Sequence, residues 1–118
     1  MVDRAAQLMR SAASGSQKIT TCDAVIAEVV FVLGGPMYGV RREEIVAGLS
    51  RLIQLPGFSV PQKSTWQRAL DIWLERSSLS FVDALVAAYA ISGDHELATF
   101  DKRLARYPGL ATFSSDSR

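Results

Sequence analysis

Between Phe81 and Ile91, in the segment SFVDALVAAYAISGDHELATFD (Ser80 to Asp101), the only charged residue is Asp83. The segment predicts an apolar helix, a turn at Ser92-Gly93, a polar link, and a short strand from Leu97 to Phe100 that ends on Asp101. A carboxylate inside an apolar helix is costly to bury unless a hydrogen-bond donor, a cation or a metal compensates it. A carboxylate at the carboxyl end of a strand sits where open α/β sheets place their ligands. Two acids brought in by different elements suggest a metal site, and the rest of the chain must supply the other ligands.

Composition narrows the setting. A chain of 118 residues is one domain with room for a single core. Its 48% hydrophobic and 21% charged residues argue against disorder. A formal net charge of +1 does not advertise nucleic-acid binding, so any such contact must come from local clusters of Arg and Lys. The single cysteine, Cys22, excludes an internal disulfide or a thiolate metal cluster within one chain. The apolar runs Ala84 to Ile91 and Ala24 to Leu33, the latter split by Glu28, are too short to span a bilayer, and the N-terminus does not read as a signal peptide. No membrane association and a reduced cytoplasm are expected.

In chain order, Val2, Ala5, Ala6, Met9, Ala12 and Ala13 recur at helical spacing up to Ser14-Gly15-Ser16. Lys18 to Thr21 predicts a strand. Thr20 and Asp23 form a capping-box pattern ahead of a helix from Cys22 to about Leu33, stopped by Gly34-Gly35-Pro36. A second helix is expected from Val40 to Ile53, then a turn at Leu55-Pro56-Gly57 and a brief strand, Phe58 to Val60. A third helix, Ser64 to Arg76, carries the stripe Trp66, Ala69, Leu70, Trp73 and Leu74, which reads as core or dimer surface. After the Leu97 strand come a basic helix from Asp101 to Tyr107, a turn at Pro108-Gly109, a strand from Leu110 to Phe113, and a frayed tail, 114–118. Helices alternating with short apolar strands predict an α/β fold with a parallel sheet.

Each acid also has a plain structural reading. Glu28, the sole charge from Ala24 to Leu33, fits the one exposed position of a mostly buried helix. Ser80 and Asp83 match a capping box, and Asp101 fits an N-cap. Taken together they form an oxygen-rich set suited to Mg²⁺ or Mn²⁺, ions that activate water and stabilise the leaving oxygen in phosphodiester cleavage. Without a cation, three acids held together would repel one another.

These blocks resemble the PIN domain, especially the compact bacterial nuclease toxins of VapC type. TTCDAVIAEVVFVL is similar to the family's segment bearing its second acid, which maps onto Glu28. YGVRREEIVAGLSRLIQLPGFSV resembles the helix, turn and strand that follow. LSFVDALVAAYAISGDHELATFDKRLARYPG resembles the most recognisable block and places the third and fourth acids on Asp83 and Asp101, with Thr99 at a supporting hydroxyl position. The resemblance implies a three-layer fold, with a short, mainly parallel sheet flanked by helices, over residues 1–113. It also implies a Mg²⁺- or Mn²⁺-dependent ribonuclease acting on RNA, a homodimer, and a small antitoxin as partner. Lys102 and Arg103, beside Asp101, would then meet RNA phosphates.

The sequence departs from the family in one respect. The family opens with a central strand ending in Asp-x-Asn, whose aspartate is the first metal ligand, whereas this chain starts on the helix that follows. A truncated or misassigned start is the expectation, and Asp3, next to Arg4 on a polar face, is no substitute. The competing function is a PIN-like binding or dimerisation module without catalysis. A phosphoacceptor receiver ranks last, because the early acidic pair is missing and Asp101 comes too late. His95 reads as a solvated loop residue, and Cys22 as structural.

Overall fold

The computed structural model describes residues 7, 10–16, 18–93, 97–98, 106–109 and 112–113. Thr99, Asp101, Lys102, Arg103, His95 and the tail lie outside them. The chain divides into two compact units, Met1–Lys63 and Ser64–Arg118. The described elements are α1 (Asp23–Gly34), α2 (Arg42–Ile53), α3 (Lys63–Glu75), α4 (Phe81–Ser92), β1 (Leu97–Ala98) and β2 (Thr112–Phe113).

In the first unit, helix over residues 10–14 precedes the turn at Gly15. The carbonyl of buried Ala12 accepts from the amides of Gly15, at 3.2 Å, and Gly57, at 2.7 Å, tying this segment to the 55–57 turn. The two strands expected at Lys18 to Thr21 and Phe58 to Val60 reduce to one isolated parallel bridge, Ile19 to Phe58. The Ile19 amide donates to the Gly57 carbonyl at 2.7 Å, and the Ser59 amide donates to the Ile19 carbonyl at 2.8 Å.

α1 starts one residue later than expected, with Cys22 as an N-cap that makes no side-chain capping bond. The Thr20–Asp23 capping box is therefore a correction. Thr20 lies two residues before the true N-cap, and its hydroxyl donates weakly to the Thr21 carbonyl at 3.5 Å. After α1 the Gly39 amide donates to Gly35, and the Val40 amide to Leu33, each at 2.8 Å. Gly39 holds φ +58 in that turn, where a Cβ would be strained. The reversal sets α2 against α1.

α2 buries Ile45, Val46, Leu49 and Ile53. Glu43 and Glu44 in its first turn and Arg51 in its last complement the helix dipole. Arg41 pairs with Glu44 at 3.0 Å, but both side chains are more than half exposed and the pair contributes at most about 1 kcal/mol. Gly48, exposed in mid-helix, would meet nothing within 4 Å if it carried a Cβ. Gly48→Ala is expected to stabilise the protein by about 0.5–1 kcal/mol, read as a higher urea midpoint with an unchanged slope.

In the second unit α3 buries Thr65, Trp66, Ala69, Leu70, Ile72 and Trp73. The tryptophan stripe is core. Leu74 departs from the expected stripe at 45% exposure, while Ile72, 2% exposed, takes its place. Trp73 meets Phe81 edge to face, with centroids 5.6 Å apart. β1 and β2 run parallel, Leu97 opposite Thr112 and Ala98 opposite Phe113, in agreement with the predicted parallel pairing. Residues 106–109 form a turn, so the expected basic helix does not include Arg106 and Tyr107, and the rest of its expected span lies outside the described residues.

Candidate functional site

α4 is where a candidate acid and a helix terminus coincide. Ser80 caps the helix. Its hydroxyl accepts from the Asp83 amide at 3.1 Å, and the Asp83 Oδ2 accepts from the Ser80 amide at 3.1 Å. This reciprocal box satisfies two amides that a helix start leaves without intrahelical partners. It also places a negative charge at the positive end of the dipole. The plain structural role of Asp83 is thus real. It does not exhaust the carboxylate, because the box uses Oδ2 and leaves Oδ1 for another donor or a cation. Asp83 is half-buried, and the exposed valines Val82 and Val86 lie on the same helix.

Glu28 lies in the first unit on α1 and is exposed. The expected setting, one exposed position on a mostly buried helix, is corrected. α1 buries only Ile26 and Val30, while Val25, Val29, Phe31 and Val32 are 40–80% exposed. A groove of about 430 Å³ runs past the carboxylate, lined by Val25, Val29, Val32, Leu33 and Tyr38. Hydrophobic patterning could not find this surface, because a helix apolar on nearly every side reads as fully buried.

Among the described residues no group of three His, Cys, Asp or Glu side chains is placed to hold a metal ion. Glu28 and Asp83 belong to different units, and Asp101, Thr99, Lys102 and Arg103 fall outside the described residues. The donor chemistry nonetheless fits a hard divalent cation. Both described acids offer carboxylate oxygen to solvent, and neither is neutralised by an Arg or Lys among the described residues. Cys22, the N-cap residue of α1, is exposed.

A second concavity, of about 450 Å³, lies along α3 and was not signalled by any motif. Ser64, Gln67, Arg68, Asp71, Glu75 and Tyr107 line it. The Arg76 guanidinium sits over the Tyr107 ring, 5.3 Å from its centroid. Partial burial, and then the nearby Glu75 carboxylate, push the Tyr107 phenol above its usual 10.0. Gln67 donates to Asp71 at 3.2 Å, and one cationic residue, Arg68, stands beside two acidic ones, Asp71 and Glu75, along this wall.

The parallel pairings within each unit, flanked by helices, define an α/β protein. The sequence model of the PIN domain matches residues 2–110, and the chain belongs to the PIN domain family. That family is generally one of nucleases and typically uses divalent metal ions. No curated protein and no solved structure matches the chain. No helix among the described residues is long and apolar enough to cross a membrane.

Proposed function

We propose that this chain is a metal-dependent endoribonuclease of VapC type, acting in the cytoplasm as the toxin of a toxin–antitoxin pair. Glu28, Asp83 and Asp101 hold Mg²⁺ or Mn²⁺, with Thr99 supporting them. The ion, when bound, supplies an activated water and charge to offset that building on the phosphate oxygens. Lys102 and Arg103 bind the RNA backbone by charge. Asp83 is held in one rotamer by its bond to the Ser80 amide, so Oδ1 is presented in a fixed direction rather than found by search. The reading extends to a homodimer and to a small antitoxin as partner.

The observation that carries this reading is the family match, which spans both acid-bearing helices. The assay is cleavage of a labelled RNA by the pure protein with Mn²⁺ or Mg²⁺. Turnover should appear with the ion and fall to the no-enzyme rate in excess EDTA. Cleavage that persists in EDTA would refute metal dependence. The Ser80–Asp83 box favours a second reading, a PIN-like binding module without catalysis, because it gives Asp83 a purpose that needs no metal. Complete absence of cleavage with either ion would select that module.

A further inference from the structure

In the second unit, the outer face of α3 is a wall of mixed polarity that the proposed metal site does not use. Ser64, Gln67, Arg68, Asp71 and Glu75 recur at i, i+3, i+4, i+7 and i+11, so one face of the helix carries all five, and each lines the concavity of about 450 Å³. That volume lies within the range of about 300–1,000 Å³ common to small-ligand sites. Ile72 and Tyr107 supply the apolar part of the lining. The Arg76 guanidinium, 5.3 Å from the Tyr107 ring centroid, braces that ring beside the helix. Gln67 donates to Asp71 Oδ1 at 3.2 Å and braces the carboxylate in the same way.

We propose that this concavity is a base-recognition subsite, and that the base it takes is a guanine of single-stranded RNA. The charges disfavour simpler ligands. Asp71 and Glu75 repel a phosphate, and Arg68 opposes a wholly cationic molecule. What remains is a ligand with donors and acceptors side by side on a flat apolar body. Guanine alone among the four RNA bases sets a pair of acceptors, O6 and N7, next to a pair of N–H donors, on N1 and N2. The Arg68 guanidinium donates to the acceptor pair, and the Asp71 carboxylate accepts from the donor pair, each in a two-bond fork. Side chains three residues apart on a helix have Cβ atoms about 5–6 Å apart, so both edges of one base are within reach. Adenine would turn its N6 donor toward Arg68 instead. The ring lies against Ile72 and Tyr107, as unstacked RNA bases do on apolar and aromatic side chains. The proposal rests on RNA being the substrate, but guanine binding needs neither the metal nor the cleavage step.

Fluorescence anisotropy with the labelled RNAs UUGUU, UUAUU and UUUUU tests it, in excess EDTA so that no metal-dependent cleavage intervenes. The full chain should bind UUGUU about 10-fold more tightly than either of the others, the discrimination expected of a good two-bond base contact. Asp71→Asn presents one acceptor and one donor where guanine needs two acceptors, and should bring UUGUU to within about 2-fold of UUUUU. Arg68→Lys keeps the charge and loses the fork, so it should weaken UUGUU by about 5-fold or more and leave UUUUU unmoved. Both positions are exposed, and the helical circular dichroism of each variant should match that of the wild type. Equal affinity for the three RNAs, binding to none of them, or a guanine preference that survives either substitution would overturn the proposal. A guanine preference in a chain that never cleaves RNA would uphold the subsite and remove the nuclease, whereas cleavage without the preference would do the reverse.

Discussion

Asp83→Asn should reduce metal-dependent RNA cleavage by about 100-fold or more while leaving the protein folded. The two parts of this expectation come from different atoms of one side chain. The amide oxygen of the substituted side chain can still accept from the Ser80 amide, and the backbone bond from position 83 to the Ser80 hydroxyl is untouched, so both bonds of the box survive. What is lost is the negative charge at the helix start, about 0.3–1 kcal/mol of stability, and with it the charge that would hold a cation. Asp83→Ala removes the side-chain half of the box as well and should cost roughly 1 kcal/mol more. Initial rates beside urea midpoints for the two variants separate the roles. Full activity in Asp83→Asn would remove Asp83 from the site.

Trp66→Ala carries the largest expected effect on stability. Trp66 is 1% exposed in the middle of the α3 stripe, and truncating such a side chain costs about 3–5 kcal/mol. Against a typical total of about 5–15 kcal/mol, that is enough to leave a large unfolded fraction at moderate temperature. Leu74→Ala is the matched comparison. At 45% exposure it should cost less than about 1 kcal/mol, although helical periodicity places Leu74 on the same stripe. A small loss in Trp66→Ala, or a large one in Leu74→Ala, would show that the buried face of α3 is wrongly assigned.

The contrast between Trp66 and Leu74 indicates what was legible in the sequence and what was not. Helix positions came through within two residues because their stops are chemical. Gly34-Gly35-Pro36, Leu55-Pro56-Gly57 and the Ser80 cap each act locally, and the chain obeys them. The Ser80–Asp83 box was readable for the same reason, since both partners lie within one turn. The Thr20–Asp23 pattern had the same spacing and failed, because the helix begins only at Asp23 and the backbone at Thr20 is not yet turned toward it. Local chemistry proposes caps, and the path of the chain chooses among them.

Exposure was much less legible. α1 and α4 are both apolar almost throughout, yet α1 buries two residues and α4 buries six. Nothing in either helix's own sequence separates them, because burial depends on what lies against a helix and not on its periodicity. The site was legible only as residue identities. Glu28 and Asp83 were singled out as lone charges in apolar runs, and both present carboxylate to solvent, but lone-charge arguments do not give distances. The family match covers both positions.

Four of the six residues that α4 buries are alanines, Ala84, Ala87, Ala88 and Ala90. Three of them are 0% exposed. Alanine at such positions is caught between two penalties: a larger side chain overpacks by about 1–3 kcal/mol, and glycine gives up about 1 kcal/mol of helix propensity. Sequence drift in this helix is therefore channelled to its outer positions, Val82 and Val86, which are 53% and 38% exposed. The inner face keeps its composition without any demand from catalysis. Asp83 rides on the element least free to change its fit. The carboxylate's position is thus held by the packing of buried alanines, and the helix geometry at Asp83 would outlast the loss of any chemistry proposed for it.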